Sequence, residues 1–146
     1  MAVFQHVLVT TDFSPVSARA VEVACELACD LGARLTVLHV CEVPGFSGTG
    51  PIAYDLVTPR VAEAQASLDE LLAPARQRCP SASGLVKVGA AAEAILSVAG
   101  EIGADLVVLG THGRRGVRHA LLGSVAERVV RLCPVPVLTV RGRGAG

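Results

Sequence analysis

Short runs of β-branched and leucine residues alternate along this chain with longer segments whose apolar residues recur at helical spacing. That alternation narrows the possible folds more than any single motif does. The runs lie at 3–10 (VFQHVLVT), 34–40 (RLTVLHV), 85–88 (LVKV), 104–109 (ADLVVL) and 135–140 (VPVLTV). Helical patterns at 16–31, 59–78, 91–102 and 124–132 separate them. Nearly continuous apolar strands joined by helices imply a parallel sheet covered on both faces through right-handed crossovers. The expected fold is a five-stranded, doubly wound α/β domain over 1–141, followed by a disordered tail at 142–146. With 146 residues, 51% hydrophobic and 18% charged, the chain suits one core rather than two.

Local signals mark the element ends. Thr11-Asp12-Phe13-Ser14-Pro15 follows the first run, so Asp12 or Ser14 can cap the first helix and Pro15 suits its first turn. Gly32 stops that helix. Pro136 marks strand 5 as an edge, since it cannot donate to a ladder, and an apolar edge invites a partner. The stretch 42–59, rich in Pro and Gly, is too long for an ordinary connection and reads as a lid or irregular structure. Sheets of this kind bind ligands outside the carboxyl ends of the strands where the winding reverses, which directs attention to the loops after strands 1, 2 and 4.

Composition excludes several functions. Thirteen basic residues balance thirteen acidic ones, so no global field attracts nucleic acid, and 3% aromatics leave few platforms for stacking bases. Nucleic acid is therefore disfavoured as a partner. Every apolar run is broken well before the ~20 residues that span a bilayer, so no membrane partner is expected. The opening residues carry neither a basic region nor a long apolar stretch, so a cytoplasmic location is expected. Five cysteines, an odd number, argue for reduced thiols, buried by default. Cys25 and Cys29 share a helix face without a recognisable ligand set around them and read as packing.

The stretch Leu109-Gly110-Thr111-His112-Gly113-Arg114-Arg115-Gly116 leads from a strand toward Gly123-Ser124 at a helix start. Its glycines let backbone amides approach an anion, the helix N-terminus adds partial positive charge, and Arg114, Arg115 and Arg118 add fixed charge. Phosphate is the natural guest. The plainer alternative is a structural turn, with Ser124-Val125-Ala126-Glu127 as a capping box. Lys87 is the only lysine, so a Walker A loop cannot exist, and the first turn has no glycine, so the dinucleotide fingerprint is missing.

The spacing Gly110-x-x-Gly113, nine residues, then Gly123-Ser124 is similar to the ATP-binding signature of the universal stress protein family. The resemblance extends over nearly the whole chain: the opening strand into Thr11-Asp12-Phe13-Ser14, the pair His39-Val40, the run 103–110 and Pro134-Val135-Pro136-Val137. It implies a Rossmann-like sheet of order 3-2-1-4-5, similar to the adenine nucleotide alpha hydrolases. It also implies a cytoplasmic homodimer, paired through strand 5 (135–140), that binds ATP with Mg²⁺. By position, Gly110, Gly113, Gly123 and Ser124 would hold the phosphates, with Thr111, His112, Arg114, Arg115, Gly116 and Val125 beside them. Val40 would touch adenine, Asp12 a ribose hydroxyl or a metal, and Thr10, Thr11 and Leu109 would wall the pocket. Two positions depart from the family: Thr10 and Ala91 stand where Pro is frequent.

Plain alternatives accompany these assignments. Asp12 can simply cap helix 1, and His39, in an apolar strand, reads as a satisfied core side chain. Three functions are expected in order: a regulatory adenine-nucleotide-binding protein, at most weakly hydrolytic; a metal-dependent ATPase using Asp12 and His112; and a nucleotide-independent interaction module built on strand 5.

Overall fold

The structure, a computed structural model, describes residues 3–42, 54–112 and 122–142, with the backbone alone at 54–56. Nine elements follow one another: β1 (His6–Thr10), α1 (Pro15–Leu31), β2 (Arg34–Cys41), α2 (Tyr54–Arg78), β3 (Ser83–Val88), α3 (Ala91–Glu101), β4 (Leu106–Gly110), α4 (Ser124–Leu132) and β5 (Val137–Val140). The five strands form one sheet ordered β3-β2-β1-β4-β5. Every pairing is parallel.

Alternation along the strands divides the core into two layers. Val7, Val9, Leu35, Val37 and Val108 face α1 and α2, where Ala20, Ala24, Leu68 and Leu72 meet them. Leu8, Leu38, Val107 and Leu109 face α3 and α4, meeting Ile95, Val98, Ala126 and Val129. The central strands are buried on both faces, which is why their sequences read as unbroken apolar runs.

The strand and helix ends differ from the sequence expectations for identifiable reasons. The first strand starts at His6 rather than Val3, because the Asp105 carboxylate takes the N–H groups of both Gln5 (2.8 Å) and His6 (3.0 Å). Val3 is left 81% exposed. The fourth run joins the sheet only from Leu106, since Ala104 N–H donates to Ala99 O at the end of α3. Strand 5 starts at Val137; Pro136 precedes it and lends only its carbonyl, to Val107 N–H. Residues 54–58, expected in an irregular segment, form the start of α2, which runs on through Pro59 and Pro74. Both prolines lie inside the helix, past its first turn, and each removes one backbone donor from the helical ladder. Residues 43–53 lie outside the described residues.

Helix α1 has the ends its sequence announces. Ser14 is the N-cap, its hydroxyl accepting from Ser17 N–H, and Gly32 closes the helix at φ 66°. Gly142 packs against Val16 of the same helix, and 143–146 lie outside the described residues. Among the described residues no helix is long and apolar enough to cross a membrane.

Candidate functional site

Strand β1 sits where the winding reverses, with β2 on one side and β4 on the other. A cavity of about 740 Å³ opens at the carboxyl ends of these three strands. That is the position at which doubly wound sheets bind ligands, and the volume falls in the range of small-molecule sites.

Its first wall is the β1–α1 turn, held by hydroxyls. Ser17 Oγ donates to Ser14 O (3.0 Å), accepts from Asp12 N–H (3.3 Å) and lies 3.1 Å from Thr11 Oγ1. Thr11 Oγ1 accepts from Phe13 N–H (3.0 Å), and Asp12 Oδ1 accepts from Ser14 N–H (2.9 Å). Asp12 therefore fixes the turn before the helix, while Ser14 does the capping. Phe13 takes φ 64°, and its ring leans on the His39 imidazole with centroids 4.5 Å apart.

The second wall is the β4–α4 side. Thr111 N–H donates to Val140 O (2.9 Å), and Gly123 N–H donates to Thr111 O (2.6 Å), tying the strand end to the start of α4. Gly123 is the N-cap of α4 and offers no side-chain acceptor, so Ser124 occupies the first helical position, exposed. The capping box of the plainer alternative is thus absent: Glu127 pairs with Arg131 at 3.4 Å instead. The first residues of the helix, Ser124, Val125 and Ala126, line the cavity with Gly123, whose lack of a side chain leaves the helix start without a side-chain cap. His112 follows Thr111, with Nδ1 3.1 Å from Thr111 Oγ1.

The third wall comes from β2, α2 and α3. Val40 belongs to the α3/α4 layer. Glu42 accepts from Ala91 N–H (3.1 Å) and so caps α3, a bond that a proline at 91 could not donate. Arg60 and Glu63 reach the cavity from α2. Burial pushes the Cys41 thiol up, and the Arg60 guanidinium counters part of that rise.

Every expected site residue within the described chain borders this one cavity: Thr10, Thr11 and Asp12; Val40; Leu109, Gly110, Thr111 and His112; Gly123, Ser124 and Val125. Gly113, Arg114, Arg115 and Gly116 lie outside the described residues, as do Arg118 and His119. Gly110 has a packing reason of its own, because a β-carbon there would stand 2.8 Å from Val16 Cγ1. His39, expected as a satisfied core side chain, is half-buried and lines the cavity with Phe13. The His39-Val40 pair stands near the carboxyl end of β2, where a sheet of this kind opens its crevice, and that position is the signal that could have found it. Arg60 and Glu63 lie within the helix expected at 59–78, but nothing in its sequence marked these positions as facing the cleft.

The cysteines are free thiols: Cys25, Cys41 and Cys79 are buried, whereas Cys29 is exposed rather than packed. Among the described residues no three His, Cys, Asp or Glu side chains converge on a metal position. For a magnesium ion carried on nucleotide phosphates, one or two carboxylates suffice, and Asp12 supplies that donor type in the cavity wall.

A doubly wound parallel sheet with a ligand-sized cleft at its point of reversal defines an α/β protein of Rossmann-like architecture. The chain belongs to the universal stress protein family, whose family model matches residues 4–141. It is 38% identical over 139 residues to a universal stress protein of Thermus aquaticus, in the QAH/OAS sulfhydrylase 3′ region, covering 94% of this chain and 99% of that protein. Universal stress protein A homolog 1 of Coxiella burnetii is 32% identical, with 94% and 96% covered. Among solved structures, a universal stress protein from Lactobacillus plantarum superposes with a TM-score of 0.83 at 24% identity, covering 97% and 100% of the two chains. A universal stress protein solved in complex with cAMP has a TM-score of 0.77 at 29% identity, with 97% and 99% covered.

Proposed function

We propose that this protein binds an adenine nucleotide, ATP with Mg²⁺, as a regulatory ligand. The observation that carries this reading is the cavity at the carboxyl ends of β1, β2 and β4, bordered by the N-terminus of α4 at Gly123 and Ser124, where the cap residue makes no side-chain hydrogen bond. The 29%-identical relative in complex with cAMP supports the same ligand class. Amides at a helix start favour phosphate. The apolar side around Val40, Ile95 and Leu109 suits the base, and Asp12 serves the ribose or the magnesium ion. The loop glycines Gly110, Gly113 and Gly116, with Thr111, His112, Arg114 and Arg115, complete the phosphate side.

The cytoplasm is the proposed compartment, and the proposed assembly is a homodimer through strand 5. Leu138 on that edge strand is 37% exposed, and Val130 and Leu132 on neighbouring α4 are 44% and 48% exposed. No dedicated catalyst is proposed; hydrolysis, where it occurs, is slow. Titration calorimetry with ATP in Mg²⁺ on the parent and on Gly123→Val and Gly113→Asp tests the assignment. Saturable binding by the parent and at least tenfold weaker binding by both variants is expected; equal binding by all three would overturn the phosphate assignment.

A further inference from the structure

Neighbouring residues of a strand point to opposite faces, so His39 and Val40, near the carboxyl end of β2, divide the cavity between them. Val40 packs with the α3/α4 layer, while the His39 ring lies on the other side against Phe13. His39 Nδ1 stands 2.8 Å from the Thr11 carbonyl oxygen. A carbonyl oxygen only accepts, so Nδ1 carries a proton and donates it, which leaves Nε2 of the neutral ring as an acceptor. Among the described residues Nε2 takes no hydrogen-bond partner, and it is not buried. His39 lines the cavity.

The ring is held from two directions. Thr11 anchors its edge, and Phe13 meets its face from a backbone conformation, φ 64°, that no other described non-glycine residue adopts. A bulky residue keeps such a conformation only where its surroundings over-determine it. Here Thr11 Oγ1 accepts from Phe13 N–H, and Ser17 Oγ accepts from the preceding N–H, that of Asp12. One short turn therefore fixes the orientation of both the Asp12 carboxylate and the His39 acceptor.

Resting on the nucleotide reading above, the geometry points to His39 as a specificity-determining residue whose Nε2 accepts a hydrogen bond from a ribose hydroxyl. The base belongs on the Val40 face, away from Nε2. Ionised phosphate offers no donor to an acceptor nitrogen. A ribose diol presents two donors, which match the Asp12 carboxylate of the β1–α1 turn and the β2 imidazole nitrogen held against that turn. The side of the cavity between β2 and α1 thereby selects a ribonucleotide over its deoxy counterparts.

The test titrates ATP and 2′,3′-dideoxy-ATP into the parent, His39→Asn and His39→Phe. Asparagine keeps a side-chain N–H for Thr11 O, and phenylalanine keeps a ring against Phe13; thermal melts establish that each variant is folded. The parent is expected to prefer ATP, and that preference to shrink about three- to tenfold in both variants, the measure of one neutral hydrogen bond. An ATP preference that is the same in parent and variants overturns the role of His39 while leaving nucleotide binding intact. A parent that binds neither compound overturns the nucleotide reading and this inference together.

Discussion

Val16 and Gly110 approach so closely that a β-carbon on Gly110 would stand 2.8 Å from Val16 Cγ1, and the other Val16 methyl lies 2.8 Å from where a β-carbon would stand on Gly142. The first turn of α1 is thus wedged between the ends of β4 and β5. The leading glycine of the loop is required by packing whether or not a ligand is present. Gly110→Ala is expected to destabilise the fold by about 1–3 kcal/mol through overpacking. In the double variant with Val16→Ala, the added methyl is accommodated and the two effects are strongly non-additive. Urea unfolding of the four proteins measures this; additive losses would show that the wedge is not the reason for the glycine.

The amino ends of the strands carry a pH-sensitive contact. His6 is buried, with Nε2 2.7 Å from Thr36 Oγ1 and Nδ1 3.2 Å from Ile102 O. Burial first and the Arg34 charge second lower its proton affinity, against the opposing effects of the Ile102 carbonyl and Asp105. The folded state therefore binds fewer protons than the unfolded chain just below the ordinary imidazole value of about 6.5. Stability from this residue is full above that value and falls as pH drops below it. Asp105 titrates lower: burial alone would raise its affinity, but the N–H groups of Gln5 and His6 outweigh it and hold the carboxyl below its usual range. Its contribution is lost only as pH falls below about 4. Denaturant midpoints from pH 8 to 5 should decline in the parent and flatten in His6→Gln; parallel curves would remove His6 as the cause.

At the start of α3, Ala90 has φ −79° and ψ 134°, and Ala91 is the first helical residue. Such geometry accepts proline at 91 without strain. Ala91→Pro gives up the exposed bond to Glu42 but restricts the unfolded chain, so unfolding free energy should fall by no more than about 0.5 kcal/mol and can rise by up to about 1 kcal/mol. A loss above about 2 kcal/mol, read from thermal melts, would mean that the Glu42 cap is essential to α3.

The strand runs made the sheet, its winding and the location of the cleft legible, because central strands buried on both faces leave an unbroken apolar signature. Strand ends were harder to read, since they depend on partners distant in sequence: the start of β1 is set by Asp105, ninety-nine residues from His6. The capping box failed for a similar reason. Gly123 N–H is drawn to Thr111 O, and that contact places Ser124 inside the helix. His39 was hidden by its apolar neighbours, which signal a core position while the carboxyl end of the strand opens into the cavity. Arg60 and Glu63 enter the site from a helix whose beginning, before Pro59, carries no start signal.

The central claim is that the cavity beside β1 holds an adenine nucleotide. Native mass spectrometry of freshly purified protein, with acid extraction of whatever is bound and a second preparation in Mg²⁺, tests it most directly, since it reports ligand and assembly together. The account predicts a dimer carrying one adenine nucleotide per chain. An empty protein that also ignores millimolar ATP in Mg²⁺ would contradict it and leave the glycine loop as a structural turn.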